Sequence, residues 1–153
     1  MTQTEDEFFF PQDPFQRTKE PVLISVCFLG IPCRWHGRRA PGREELLRRL
    51  AEKYVLVSVC LEQLDGMPTP GTSETLRGSA GAQVLDEGLR IIAPRTRQDV
   101  TQHCFDGANC ARETAAIVGA RIAYLKGGSP SRDTDDETGE TLKRAGVRVV
   151  RIP

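Results

Sequence analysis

Two short apolar runs on either side of an amphipathic segment set the strongest limit on how this chain can fold. Residues 22–27 (Val-Leu-Ile-Ser-Val-Cys) and 54–59 (Tyr-Val-Leu-Val-Ser-Val) are rich in β-branched residues and nearly continuous in apolar character. That pattern marks strands covered on both faces. Between them, residues 43–53 place Leu46, Leu47, Leu50 and Ala51 on one helical face. A strand, a helix and a second buried strand imply a parallel pair joined by a crossover. The pattern recurs downstream. Asp99 or Thr101 caps a helix running to about Val118 and stopped by Gly119, and a strand follows over 120–126. A helix over 137–145 ends at Gly146, and Val147 to Ile152 form a last strand. The expected fold class is α/β, a single three-layer domain with a mainly parallel, Rossmann-like sheet over residues 21–153.

The remaining segments read differently. Residues 1–20 are polar apart from Phe8-Phe9-Phe10 and form an expected flexible N-terminal extension whose aromatic triplet docks on its own domain or on a partner. Residues 61–82 are rich in Pro, Gly, Thr and Ser and too long for an ordinary connection, which marks a functional loop. Residues 83–93 read as short extended pieces around Asp86-Glu87-Gly88.

Both early strands end in a thiol. Cys27 leads into a Gly/Pro-rich loop that carries Cys33, and Cys60 leads into the long loop. In an open parallel sheet the carboxyl ends of the strands line the ligand crevice. Two thiols there point to metal, cluster or sulfur chemistry, and a turn after the first strand can fold Cys33 back beside them. Thiolates are the soft donors that suit iron in a sulfide core. Cys104 and Cys110 lie six residues apart on the long helix and point to different faces, so they make poor chelate partners. Cys33 with His36 forms a zinc-like fragment that lacks a second pair. Glu62, two residues past Cys60, is placed to act as a general base, or as a loop carboxylate pairing with Arg34. Ser129-Pro130-Ser131 follows the third strand, where a hydroxyl can meet a substrate carbonyl or an anion.

The 21 basic and 21 acidic residues balance, so no net charge draws the chain to nucleic acid or a membrane surface. No run approaches a membrane span, and Glu5, Asp6 and Glu7 stand where a signal peptide needs positive charge. The expected location is cytoplasmic. The five cysteines are then free thiols or ligands, not disulfides.

Several segments together resemble the thiouracil desulfidase family, long catalogued as a domain of unknown function. The family pattern S-A-C-L-L-G-x-x-C-R-Y-D-G appears as Ser25-Val26-Cys27-Phe28-Leu29-Gly30-Ile31-Pro32-Cys33-Arg34-Trp35-His36-Gly37. The pattern P-V-C-P-E-x-x-G-G-x-P-T-P appears as Ser58-Val59-Cys60-Leu61-Glu62-Gln63-Leu64-Asp65-Gly66-Met67-Pro68-Thr69-Pro70. Val84-Leu85-Asp86, Asp99-Val100-Thr101 and Leu125-Lys126-Gly127-Gly128-Ser129-Pro130-Ser131 match later motifs. The likeness spans about residues 22–152.

The resemblance implies a [4Fe-4S] cluster on three cysteines with one open iron, and removal of sulfur from a thiocarbonyl compound such as 2-thiouracil, a small-molecule substrate. Cys27 and Cys60 match two ligand positions. The third would be the cysteine of S-P-S-C, where this chain has Arg132 and then a short acidic stretch, Asp133 to Thr138. Arginine cannot ligate iron. Three outcomes follow: Cys33 serves as the third ligand, Cys104 or Cys110 swings in from the helix, or the cluster is gone. In the last case the chain is a small-anion-binding or regulatory module using Arg132 and Arg34. A thiol sulfur carrier, with Cys27 or Cys33 as a reactive thiolate, is a further alternative. With the cluster present, Glu62 and Ser129 are the candidate catalytic residues and Cys27, Cys60 and Cys33 the candidate ligands.

Overall fold

A computed structural model of the chain describes residues 19–34, 37–39, 41–66, 81–93, 96–127 and 137–153. Among the described residues four strands, β1 (Glu20–Ser25), β2 (Tyr54–Val59), β3 (Ile122–Lys126) and β4 (Arg148–Ile152), pair in parallel in the order β2-β1-β3-β4. The helices are α1 (Glu44–Lys53), α2 (Leu61–Leu64), α3 (Gly81–Glu87), α4 (Thr101–Val118) and α5 (Glu137–Arg144).

Alternation along the strands builds the layers. Val22 and Ile24 of β1 face the same side as Leu56, Ile122 and Tyr124, where Leu46, Leu47 and Leu50 of α1 cover them. Leu23, Val59, Ala123 and Leu125 face the other side and meet Ala111 and Ala115 of α4 and Leu142 of α5. Alanine where α4 crosses the sheet lets the helix backbone approach closely. The expected three-layer α/β architecture with a parallel sheet is what forms. No helix among the described residues is long and apolar enough to cross a membrane.

Helix ends follow the local chemistry. Gly119 and Gly146 sit at positive φ, 74° and 82°, after α4 and α5, the left-handed region that other residues enter at a cost. At the start of α4, the Asp99 carboxylate accepts hydrogen bonds from the Thr101 N–H (3.0 Å) and hydroxyl (2.6 Å).

Two sequence readings need correction. Residues 83–93 are not a run of extended pieces, because Gly81–Glu87 is helical and extended pairing is limited to an isolated bridge between Ile92 and Asp99. Adjacent Val84 and Leu85 would face opposite sides of a strand. On the helix, Val84 is buried against Ile91, Ala93, Val100 and Cys104, while Leu85 is half-buried. The loop after Cys60 also begins with a helical turn, α2, packed by Leu61 and Leu64 onto the sheet. Residues 67–80 and residues 1–18, with Phe8-Phe9-Phe10, lie outside the described residues, while Glu20, read from the sequence as part of the extension, is the first residue of β1.

Candidate sulfur site at the strand ends

The strand order fixes where a crevice can open. From β1 the chain passes to β2 on one side, while β3 and β4 lie on the other. The order therefore reverses between β1 and β3, and in sheets of this type ligands bind beyond the carboxyl ends at that point. The two strands part there, and the side chain of Ser25 carries the connection on. Its hydroxyl accepts a hydrogen bond from the Lys126 N–H at 3.0 Å.

Past Ser25 the chain winds into a 3₁₀ turn, Val26–Leu29, closed by Gly30 at φ 73°, whose N–H reaches the Cys27 carbonyl at 3.0 Å. Cys27 thus sits in the first turn beyond β1 and not in the strand itself. Cys33 lies in the following loop, its N–H on the Ile31 carbonyl at 2.8 Å. The loop returns to α1 where the Arg43 N–H meets the Phe28 carbonyl at 3.1 Å. Cys60 lies between β2 and α2, its carbonyl accepting from the N–H groups of Gln63 (3.1 Å) and Leu64 (2.9 Å).

These turns bring the three thiols into one pocket. Cys27, Phe28 and Cys33 are buried together, with Cys60, Val26, Leu47 and Ile152 packed around them. The Cys60 thiol donates to the Cys33 carbonyl at 3.7 Å. Burial raises the pKa of Cys27, and the nearby Cys60 adds to the rise, while Arg34 and Lys126 act against it. Cys33 is pushed up to about 12, first by burial and then by the neighbouring Cys60 side chain. Lys126 is lowered by burial and by the facing cations Arg34 and Arg43, and its ammonium donates to the Gly127 carbonyl at 2.8 Å. Arg43 reaches across the same end of the sheet to the Pro153 carbonyl. The pocket is therefore a thiol cluster with cations along its edge.

The other sequence candidates divide clearly. Cys104 is buried in a different cluster with Val84, Ile91, Ala93 and Val100, and Cys110 is exposed on α4. Neither helix thiol joins the pocket in this structure. Glu62 lies in α2, two residues beyond Cys60, but its side chain is outside the described part. Ser129, Arg132, Trp35 and His36 also lie outside the described residues. His103 is exposed on α4, with its ring Nδ1 3.0 Å from the Asp65 carbonyl oxygen. Sequence reasoning missed Lys126 and Ile152 as parts of the pocket. Their signal was position, since each ends a strand at the same edge as the cysteines.

No three of the described His, Cys, Asp and Glu side chains are gathered around a point where one metal ion would sit. A cluster makes a different demand, because its thiolates bind separate irons of one core. Three soft thiols in a shared pocket edged by Arg34 and Lys126 match that donor chemistry.

Comparison with known proteins supplies an independent line. Residues 22–146 match the family model described as 2-thiouracil desulfurase. The chain is 30% identical over 144 residues to the uncharacterized protein YbbK of Bacillus subtilis (strain 168), covering 84% of this chain and 93% of that protein. It also superposes on the solved structure of the [4Fe-4S]-dependent thiouracil desulfidase TudS with a TM-score of 0.72 and 26% identity, over 87% of this chain and 91% of that one. The matched family segment contains all three pocket cysteines.

Proposed function

Because this chain belongs to the 2-thiouracil desulfurase family, we propose that it removes sulfur from a thiocarbonyl compound such as 2-thiouracil, using a [4Fe-4S] cluster held by Cys27, Cys60 and Cys33. The observation that carries this reading is the convergence of those three thiols beyond the carboxyl ends of β1 and β2. Cys33 is the proposed third ligand in place of the family cysteine that Arg132 replaces. When bound, the cluster would supply an open iron, a soft acceptor for the sulfur of the substrate.

The chain's own groups take the remaining tasks. Arg34 and Lys126 oppose the protonation of Cys27 and so favour the thiolate that a ligand must be. Phe28, Leu47 and Ile152 pack around the thiols. Glu62 is the proposed base for the incoming water and Ser129 the proposed donor to the substrate carbonyl position. The reaction exchanges sulfur for oxygen and needs no net electron transfer. The proposed location is cytoplasmic, with a small molecule as the partner and neither nucleic acid nor membrane.

The test is iron and acid-labile sulfide per chain on protein purified and reconstituted without oxygen, followed by sulfide release from 2-thiouracil. About four irons per chain with broad absorption near 400 nm, the mark of thiolate-held clusters, is the expected result. Cys33→Ser should abolish both colour and sulfide release. A Cys33→Ser protein that keeps its iron removes Cys33 from the ligand set.

A second reading is favoured by the cations at the pocket edge: a cluster-less relative that binds a small anion. Arg34, Arg43 and Lys126 sit close enough for the first two to lower the third. This reading expects colourless protein after reconstitution and an anion affinity that falls on Arg34→Ala or Arg132→Ala.

A further inference from the structure

We propose that Cys33 and Cys60 form a reversible intramolecular disulfide in the cluster-free chain, an oxidative modification site distinct from the proposed chemistry of the loaded protein. The pair is singled out by contact. The Cys60 thiol donates to the Cys33 carbonyl at 3.7 Å. Both belong to the same cluster of side chains, whereas Cys104 and Cys110 are held elsewhere on α4. Cys33 rides on a loop anchored at Gly30 and at Arg43, while Cys60 joins β2 directly to α2. Closing an S–S bond therefore asks the loop, and not the sheet, to adjust.

The two thiols have unequal access, which gives the reaction an order. Cys60 is half-buried and Cys33 buried. An oxidised low-molecular-weight disulfide of the glutathione class reaches Cys60 first. The Cys60 thiol gives its proton to solvent, and its sulfur attacks the external disulfide and displaces one thiolate. Cys33 then loses its proton, attacks the Cys60 sulfur of the mixed disulfide and displaces the second thiolate. Two protein thiols lose two electrons, one external disulfide gains them, and the two released thiolates take up the two protons. This second attack is intramolecular, with the partner already at hand in the same cluster of side chains.

Formation of this bond does not depend on the desulfidase reading. A chain that never binds iron would still form it, and a loaded chain would resist it because both sulfurs would be occupied. The experiment uses the full-length, cluster-free protein treated with oxidised glutathione and analysed by mass spectrometry without reduction. The expected product is a monomer lighter by about 2 Da, the two hydrogens lost on closure, with two fewer titratable thiols and full reversal by dithiothreitol. Trypsin leaves Cys27 and Cys33 together in the peptide Glu20–Arg34, so fragmentation must place the link on Cys33 and leave Cys27 free. Cys27→Ser should keep the link, and Cys33→Ser should instead hold glutathione on Cys60. A link to Cys27, a stable glutathione adduct on the unmodified sequence, a chain that keeps every thiol or a purely intermolecular dimer would each overturn the proposal. Fragmentation of the unsubstituted protein decides the question even if a variant fails to fold.

Discussion

The Ser25 hydroxyl accepts the Lys126 N–H at 3.0 Å, and this bond joins β1 to β3 one residue beyond Ile24 and two beyond Tyr124, the last paired positions. Ser25 is buried, so the N–H it serves has no water to replace the lost acceptor. Ser25→Ala should destabilise the protein by about 1–3 kcal/mol, the usual cost of stranding a buried polar group. Urea unfolding would show this as a lower midpoint with an unchanged slope. An unchanged midpoint would mean the strand ends are held by packing alone.

The thiols should differ in reactivity under native conditions. Cys110 is exposed and should be alkylated first. Cys27 and Cys33 are buried with raised pKa values and should react slowly, Cys33 the more so at about 12. Lys126→Met removes one of the cations that hold the Cys27 thiol down and should slow its labelling further. A time course of labelling read by mass spectrometry checks the order. Rapid labelling of Cys27 in the unsubstituted protein would instead favour the sulfur-carrier alternative.

The start of α4 gives a pH dependence whose sign is fixed. The Thr101 hydroxyl and N–H and the Arg90 guanidinium hold the Asp99 carboxyl below its ordinary value of 3.8. A carboxyl with a lowered native pKa stabilises the fold above its unfolded pKa and loses that contribution as pH falls through the native one. The stability difference between the protein and Asp99→Asn should therefore be constant near neutrality and shrink below about pH 4, the unfolded aspartate range. Denaturation midpoints measured at stepped pH provide the comparison. A difference that persists at low pH would assign the effect to geometry and not to charge.

What the sequence disclosed and what it hid have physical causes. The strands at 22–27 and 54–59 and the helix over 43–53 were legible because burial on two faces, or on one, leaves a periodic imprint. The meeting of Cys33 with Cys60 left none, since it depends on a turn closed by Gly30 and on two strands lying side by side. Family motifs supplied the cysteine positions but could not choose the third ligand after Arg132 replaced the expected one. The helix at Gly81–Glu87 was misread because its seven residues are too few to establish a period, and its burial comes from Ile91, Val100 and Cys104 beyond it.

A glycine far from the thiols in sequence controls the turn beside them. Gly107 lies on α4 where a Cβ would run into the carboxylate of Asp65 and come within 3.2 Å of the Asp65 backbone nitrogen. Asp65 is 2% exposed and immediately follows α2, the helical turn that Cys60 opens. The clash involves buried atoms and backbone, so a small side-chain rotation cannot relieve it. Gly107→Ala should push α2 off α4 and cost about 1–3 kcal/mol, the usual range for overpacking a core. Outside this contact the substitution favours the helix by roughly 1 kcal/mol, so a net loss would be the stronger evidence. Gly107→Ala combined with Asp65→Gly, which restores the residue of the family pattern at that position, should recover most of the loss. A cycle of the two single variants and the double variant, read by urea unfolding, measures the coupling. Additive single effects would show that α4 and the turn after Cys60 are independent, and that Gly107 plays no part in placing Cys60.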